Sequence, residues 1–119
     1  MEGNMTIAQQ LSLDRKMHEA IVIFKRLLRG ALHGNLVEIK LFGSRAKGAA
    51  RADSDFDFLI LVKRVTPAVK DQVIDISTRI LLDYSLDFTT IIHSEKEYRE
   101  ARKLPTVFSQ LVERHSIII

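Results

Sequence analysis

Between Ser12 and Gly34, the apolar residues Met17, Ala20, Ile21, Phe24, Leu27, Leu28 and Ala31 recur every three or four positions, while Arg15, Lys16, Glu19, Lys25, Arg26 and Arg29 fall largely on other faces. That period predicts a long amphipathic helix. Ser12 or Asp14 can cap its start, and Gly34 can supply the left-handed residue that ends it. At Leu36 to Phe42 the period changes to two, with Val37, Ile39 and Leu41 on one face and Glu38 and Lys40 on the other, as in a half-buried strand. The next run, Phe56 to Val62, is apolar on both faces except at its beginning, which predicts a central strand covered from both sides.

Thr66 followed by Pro67 marks a helix start, because proline at the first helical position gives up no needed donor. Val69, Val73, Ile76 and Ile80 form the core-facing stripe of that helix. The β-branched and aromatic residues of Leu86 to Ile92 predict a third strand, and Ser94 with Glu97 forms a capping box for a short helix ending before Pro105. A further short helix is expected over Pro105 to Arg114, with SIII at the end as a last strand. Helices alternate with strands, so the expected fold is α/β (α+β), a small single domain over residues 1–119 with a mixed sheet of about four strands packed with helices.

A chain of 119 residues with 46% hydrophobic and 28% charged residues has the make-up of one ordinary globular domain, which leaves no room for a separate substrate domain. The net charge of +3 is spread along the chain; it suits phosphate-bearing ligands but is too mild to indicate nucleic acid. Having no cysteine, the chain offers neither a disulfide framework nor a thiolate metal site. MEGNMTIAQQ lacks the basic-then-apolar order of a signal peptide, and no apolar run is long enough for a membrane span, so a cytoplasmic protein with no membrane partner is expected.

The candidate chemistry lies in LFGSRAKGAARADSDFDFLILV, Leu41 to Val62. Strand alternation sends Asp55 and Asp57 to the same face, with Leu59 and Leu61 further along. Two like charges at the mouth of a buried strand call for protonation or a bound cation, and an all-oxygen donor set suits Mg²⁺. Asp87, in the third strand, can complete a three-carboxylate site able to hold two metals, with Asp83 as the alternative third acid. Gly43 lets backbone approach a phosphate, Ser44 and free N–H groups can donate to it, and Arg45 and Lys47 can add positive charge. The Gly43 to Gly48 spacing is not a P-loop, because Ala49 and Ala50 stand where Lys and Ser or Thr are needed.

FGSRAKG followed by SDFD resembles the signature of the DNA polymerase beta-type nucleotidyltransferase superfamily, specifically its minimal nucleotidyltransferase branch. The resemblance covers the first helix to the third strand well and the final residues more loosely. It implies transfer of a nucleoside monophosphate, AMP from ATP or another NTP, to an acceptor hydroxyl or phosphate. Gly43, Ser44 and Arg45 would bind the nucleotide, while Asp55, Asp57 and Asp87 would be both the catalytic residues and the Mg²⁺ ligands. Lys47 departs from an arginine common at its position, keeping charge but losing bidentate geometry. The same resemblance implies a partner protein, a helical HEPN-type toxin, for which the chain would be the antitoxin.

Two functions follow. One is a Mg²⁺-dependent nucleotidyltransferase, plausibly a protein adenylyltransferase; the other is a non-catalytic antitoxin or binding module that covers its partner, alone or within a homo- or hetero-oligomer. Nucleic acid is disfavoured as a partner by the absence of a basic groove or interleaved aromatics. His18, His33, His93 and His115 lack metal-ligand spacing, and Tyr84 and Tyr98 read as boundary tyrosines rather than acceptors of modification.

Overall fold

The computed structural model describes residues 15–42, 56–103 and 117–119. In chain order they form α1 (Arg15–Ala31), β1 (Leu36–Phe42), β2 (Phe56–Val62), α2 (Pro67–Tyr84), β3 (Phe88–Ser94), α3 (Glu95–Arg102) and β4 (Ile117–Ile118). The sheet runs β3-β2-β1-β4 and is mixed: β1 is antiparallel to β2 and to β4, and β2 is parallel to β3. The architecture is the expected α+β one, with β2 inside the sheet. The expected caps at Ser12 or Asp14 and the helix Pro105 to Arg114 lie outside the described residues.

The even-numbered residues of β2 face the larger core. Phe56, Phe58, Ile60 and Val62 pack there with Ile21, Phe24 and Leu28 of α1 and Val69, Val73, Ile76 and Ile80 of α2. Phe24 lies 4.7 Å from Phe58 and 5.0 Å from Phe88, centroid to centroid, the latter edge-on, and Phe88 lies 4.8 Å from Phe58. Such tilted and edge-to-face pairs follow from the aromatic quadrupole and add about 0.5–1.5 kcal/mol each to the burial itself.

Three local expectations are corrected. Val37 is 40% exposed rather than in the core. Leu36 pairs with Val62 and Glu38 with Leu61, so Val37 is the extra residue of a β-bulge; the inward set passes from Leu36 to Ile39 and Leu41 across it. The third strand begins at Phe88, two residues later than expected, although the carbonyl of Asp87 already accepts from the Phe56 N–H at 3.3 Å. At the end of α1 it is Leu32, not Ala31, that is buried. Gly34 does adopt the left-handed region, at φ 80°, within the turn into β1.

The far end of the β1–β2 pair is tied to the start of α2. Asn35 donates its side-chain amide to the Arg64 carbonyl and accepts from the Arg64 N–H, both at 2.9 Å. Thr66 then caps α2 by accepting from the Val69 N–H, with Pro67 in the first turn. Ser94 and Glu97 close the capping box of α3: the Ser94 hydroxyl accepts from the Glu97 N–H at 3.0 Å and the Glu97 carboxylate accepts from the Ser94 N–H at 2.9 Å. That backbone bond at Ser94 holds the Glu97 carboxyl below its ordinary pKa of 4.5.

Phe58→Ala should destabilise the fold by about 3–5 kcal/mol, read as a lower urea midpoint, because a fully buried ring at the centre of the aromatic cluster leaves a cavity. Ser94→Ala should cost about 1 kcal/mol. The stabilisation from Glu97 should be complete above pH 4.5 and fade as pH falls through its lowered native value. Glu97→Gln should remove that part of the acid dependence in pH-resolved denaturation.

Candidate functional site

The odd-numbered residues of β2 face the other side of the sheet. Leu59 and Leu61 pack there with Phe42, Tyr98 and Ile91 in a second, smaller core under α3. Asp57 precedes them on the same face, half-buried, opposite Phe42 of β1 and Thr89 of β3. Its position follows from alternation: the buried rings of Phe56 and Phe58 claim the opposite face, so Asp57 must point away from the larger core.

The parallel register sets Phe56 beside Phe88 and Asp57 beside Thr89. Asp87 immediately precedes β3, and its carbonyl accepts from the Phe56 N–H at 3.3 Å. Asp87 and Thr89 are exposed, at the same end of the sheet as Asp57. Asp83 stands apart on α2, where its carboxylate meets the Arg79 guanidinium at 3.6 Å. Of the predicted site, Asp57 lies in β2, Asp87 leads into the neighbouring β3 at the same end of the sheet, and Asp83 lies on α2. Gly43, Ser44, Arg45, Lys47 and Asp55 lie outside the described residues.

The donors on this face fit a hard cation. They are carboxylate oxygens, and the chain has no cysteine to offer a softer donor. His18 lies on α1, His33 in the turn after it, and His93 near the other end of β3, paired with Leu61. No cluster of three or more His, Cys, Asp or Glu occurs among the described residues.

One polar arrangement on this face escaped the sequence reading. The Lys40 ammonium, with its side chain only 15% exposed, donates to the Tyr98 hydroxyl at 3.0 Å and lies 3.6 Å from the Glu38 carboxylate. Tyr98 is buried, and Arg102 lies 5.6 Å from its ring centroid. These contacts fasten α3 to β1 beneath the carboxylates. The signal available was the spacing Glu38, Lys40, Phe42 on one strand face, but its partner lies 58 residues away in sequence. Tyr84 is half-buried on α2, away from this face.

The profile of the nucleotidyltransferase domain matches residues 20–118, most of the chain. The chain belongs to this family. Two Methanocaldococcus jannaschii proteins, each named "putative protein adenylyltransferase", are similar to the nucleotidyltransferase chain. One is 35% identical over 82 residues, covering 69% of this chain and 78% of the relative. The other is 37% identical over 78 residues, covering 65% and 79%. Among solved structures, a spectinomycin adenyltransferase from Enterococcus faecialis, crystallised with ATP and spectinomycin, superposes with a TM-score of 0.52 at 27% identity. That match covers 67% of this chain and 35% of the neighbour, so the nucleotidyltransferase chain spans about a third of its length. No helix among the described residues is long and apolar enough to cross a membrane.

Tyr98→Phe should destabilise the protein by about 1–3 kcal/mol in chemical denaturation, since it takes a hydroxyl acceptor from a largely buried ammonium. Adding Lys40→Met to that variant should recover part of the loss, because the largely buried ammonium that lost its hydroxyl acceptor goes with it.

Proposed function

We propose that this nucleotidyltransferase transfers AMP from ATP to a protein acceptor in a Mg²⁺-dependent reaction. The observation that carries the reading is the parallel register of β2 and β3, which sets Asp57 beside Thr89 at the end of the sheet where Asp87 leads into β3. The similarity to two chains named as protein adenylyltransferases supports the choice of nucleotide and acceptor, and the match to an adenyltransferase crystallised with ATP supports the donor.

In this reading Asp55 and Asp57, with Asp87 as the third acid, hold Mg²⁺, which supplies activation of the acceptor hydroxyl and neutralisation of the triphosphate. Gly43 offers close backbone approach to the phosphates, and Ser44 and Arg45 donate to their oxygens. The acceptor oxygen bonds to the α-phosphorus, the bond between that phosphorus and the bridging oxygen to the β-phosphate breaks, pyrophosphate leaves, and the acceptor proton passes to solvent. Asp83, engaged with Arg79, takes no part.

A helical HEPN-type toxin is the partner proposed, with the chain as its antitoxin in the cytoplasm.

The test is transfer of label from α-labelled ATP with Mg²⁺ to a candidate HEPN-type partner. Wild type should label the acceptor, while Asp57→Asn and Asp87→Asn should each lower the rate by at least about a hundred-fold with circular dichroism unchanged. Asp83→Asn should retain activity. A wild type that labels no partner but binds one tightly would replace this reading with that of a binding module acting by direct contact.

A further inference from the structure

Helix α2 is apolar on two opposite faces. Val69, Val73, Ile76 and Ile80 are buried against the sheet. At about 100° per residue, Thr78 lies opposite the middle of that stripe, and Ile74 and Leu82, four residues to either side, flank it at about 40°. Leu81 lies beside them at about 60°. Ile74, Leu81 and Leu82 are 57%, 46% and 77% exposed, so an apolar strip runs along the face pointing away from the sheet. No neighbouring element of the described residues covers it, and its residues contribute nothing to the larger core.

The strip is complementary to itself. Ile74 and Leu82 are equidistant from Thr78, so a second α2 laid antiparallel across a two-fold axis at Thr78 brings Ile74 level with Leu82 of the second copy, with the small threonine at the crossing. On one flank Leu81 then meets Ile74 of the second copy. On the other, Asp75 comes within one helical turn of Arg79 of the second copy, and symmetry repeats the pair. Asp75 is exposed and has no ion-pair partner among the described residues, while Arg79 is exposed and makes only a long contact with Asp83. Apolar strip and flanking charges thus agree on one orientation.

We propose that the chain associates with a second copy of itself as a two-fold dimer through the outward face of α2. One helix face per protomer gives an interface at the small end of the specific range, below about 1,200 Å² in total, so the dimer is a weak one that dissociates on dilution. The surface is separate from the proposed site, which lies on the opposite side of the sheet, so the proposal stands or falls independently of the transfer reaction.

Sedimentation velocity on the full chain, from micromolar to near-millimolar protein, tests it. Wild type should shift from monomer to dimer with concentration. Leu82→Glu should raise the dissociation constant at least about ten-fold while leaving the thermal melt of dilute protein unchanged, since the side chain is outside the core. Asp75→Arg and Arg79→Asp should each weaken the dimer, and the two together should restore it; a double variant that does not recover overturns the antiparallel arrangement. Wild type that stays monomeric throughout, or associates only with a different protein, overturns the proposal. So does a dimer that withstands Leu82→Glu.

Discussion

The contact between four phenylalanine rings orders the rest of the structure. Phe56 and Phe58 of β2, Phe88 of β3 and Phe24 of α1 meet on one face of the sheet, all nearly or fully buried. In a strand, that choice decides where every neighbour points. Asp57 is enclosed in sequence by two of these rings and Asp87 is followed by a third, so burying the aromatics is the same event as presenting the carboxylates on the other side. A one-residue slip of β2 would exchange the two sets, placing a carboxylate among aromatic rings and two rings in water. The penalty on that slip is what keeps the register of β2 and β3, and with it the relation between Asp57 and Asp87.

The two faces of the sheet are covered unequally, and the inequality has a local cause. The first face receives α1 and α2, which together bury a continuous set of residues from Ala20 to Ile80. The second receives the short α3, whose contribution to the core is the single ring of Tyr98 packed over Leu59, Leu61 and Phe42. Its capping box begins at Ser94, the last residue of β3, so the chain folds back at once and α3 runs over the sheet until Tyr98 packs against Phe42, the residue opposite Asp57. Lys40 bonds to Tyr98 and keeps the helix there. The carboxylate end is left with Thr89 and Asp87 exposed.

Much of this was legible from spacing. The bounds of β1 and β2 coincide with the alternating and continuous apolar runs, the start of α2 with Thr66-Pro67, and the inward stripe of α2 with its four aliphatic residues. Two of the three errors arise where two apolar residues are adjacent and period alone cannot choose. Leu36 and Val37 both fit an inward position, and only the bulge against Val62 and Leu61 sends Val37 out. Ala31 and Leu32 pose the same ambiguity at the end of α1. For the site, alternation was enough to turn Asp57 away from the larger core, whereas the parallel pairing of β2 with β3, which sets Asp57 beside Thr89, is a contact between strands that spacing within either one does not specify. The Lys40–Tyr98 contact had a signal only on the β1 side, in the spacing of Glu38, Lys40 and Phe42, since nothing local links that strand to a residue 58 positions away.

The outward strip of α2 is a departure from the same logic, and its position matters. A helix needing only to cover a sheet gains nothing from exposing Leu82 and Ile74, and exposed leucine and isoleucine carry a standing cost in solubility. The strip lies behind the sheet, with the larger core between it and the carboxylates. Whatever rests on α2 therefore leaves the face of Asp57 open, and two protomers joined there would present their carboxylate ends away from the contact. An acceptor too large for one small domain to enclose would meet that face directly, with α3 and its Lys40 anchor beside it. The fold thus places a packed aromatic layer between the proposed contact and the proposed site.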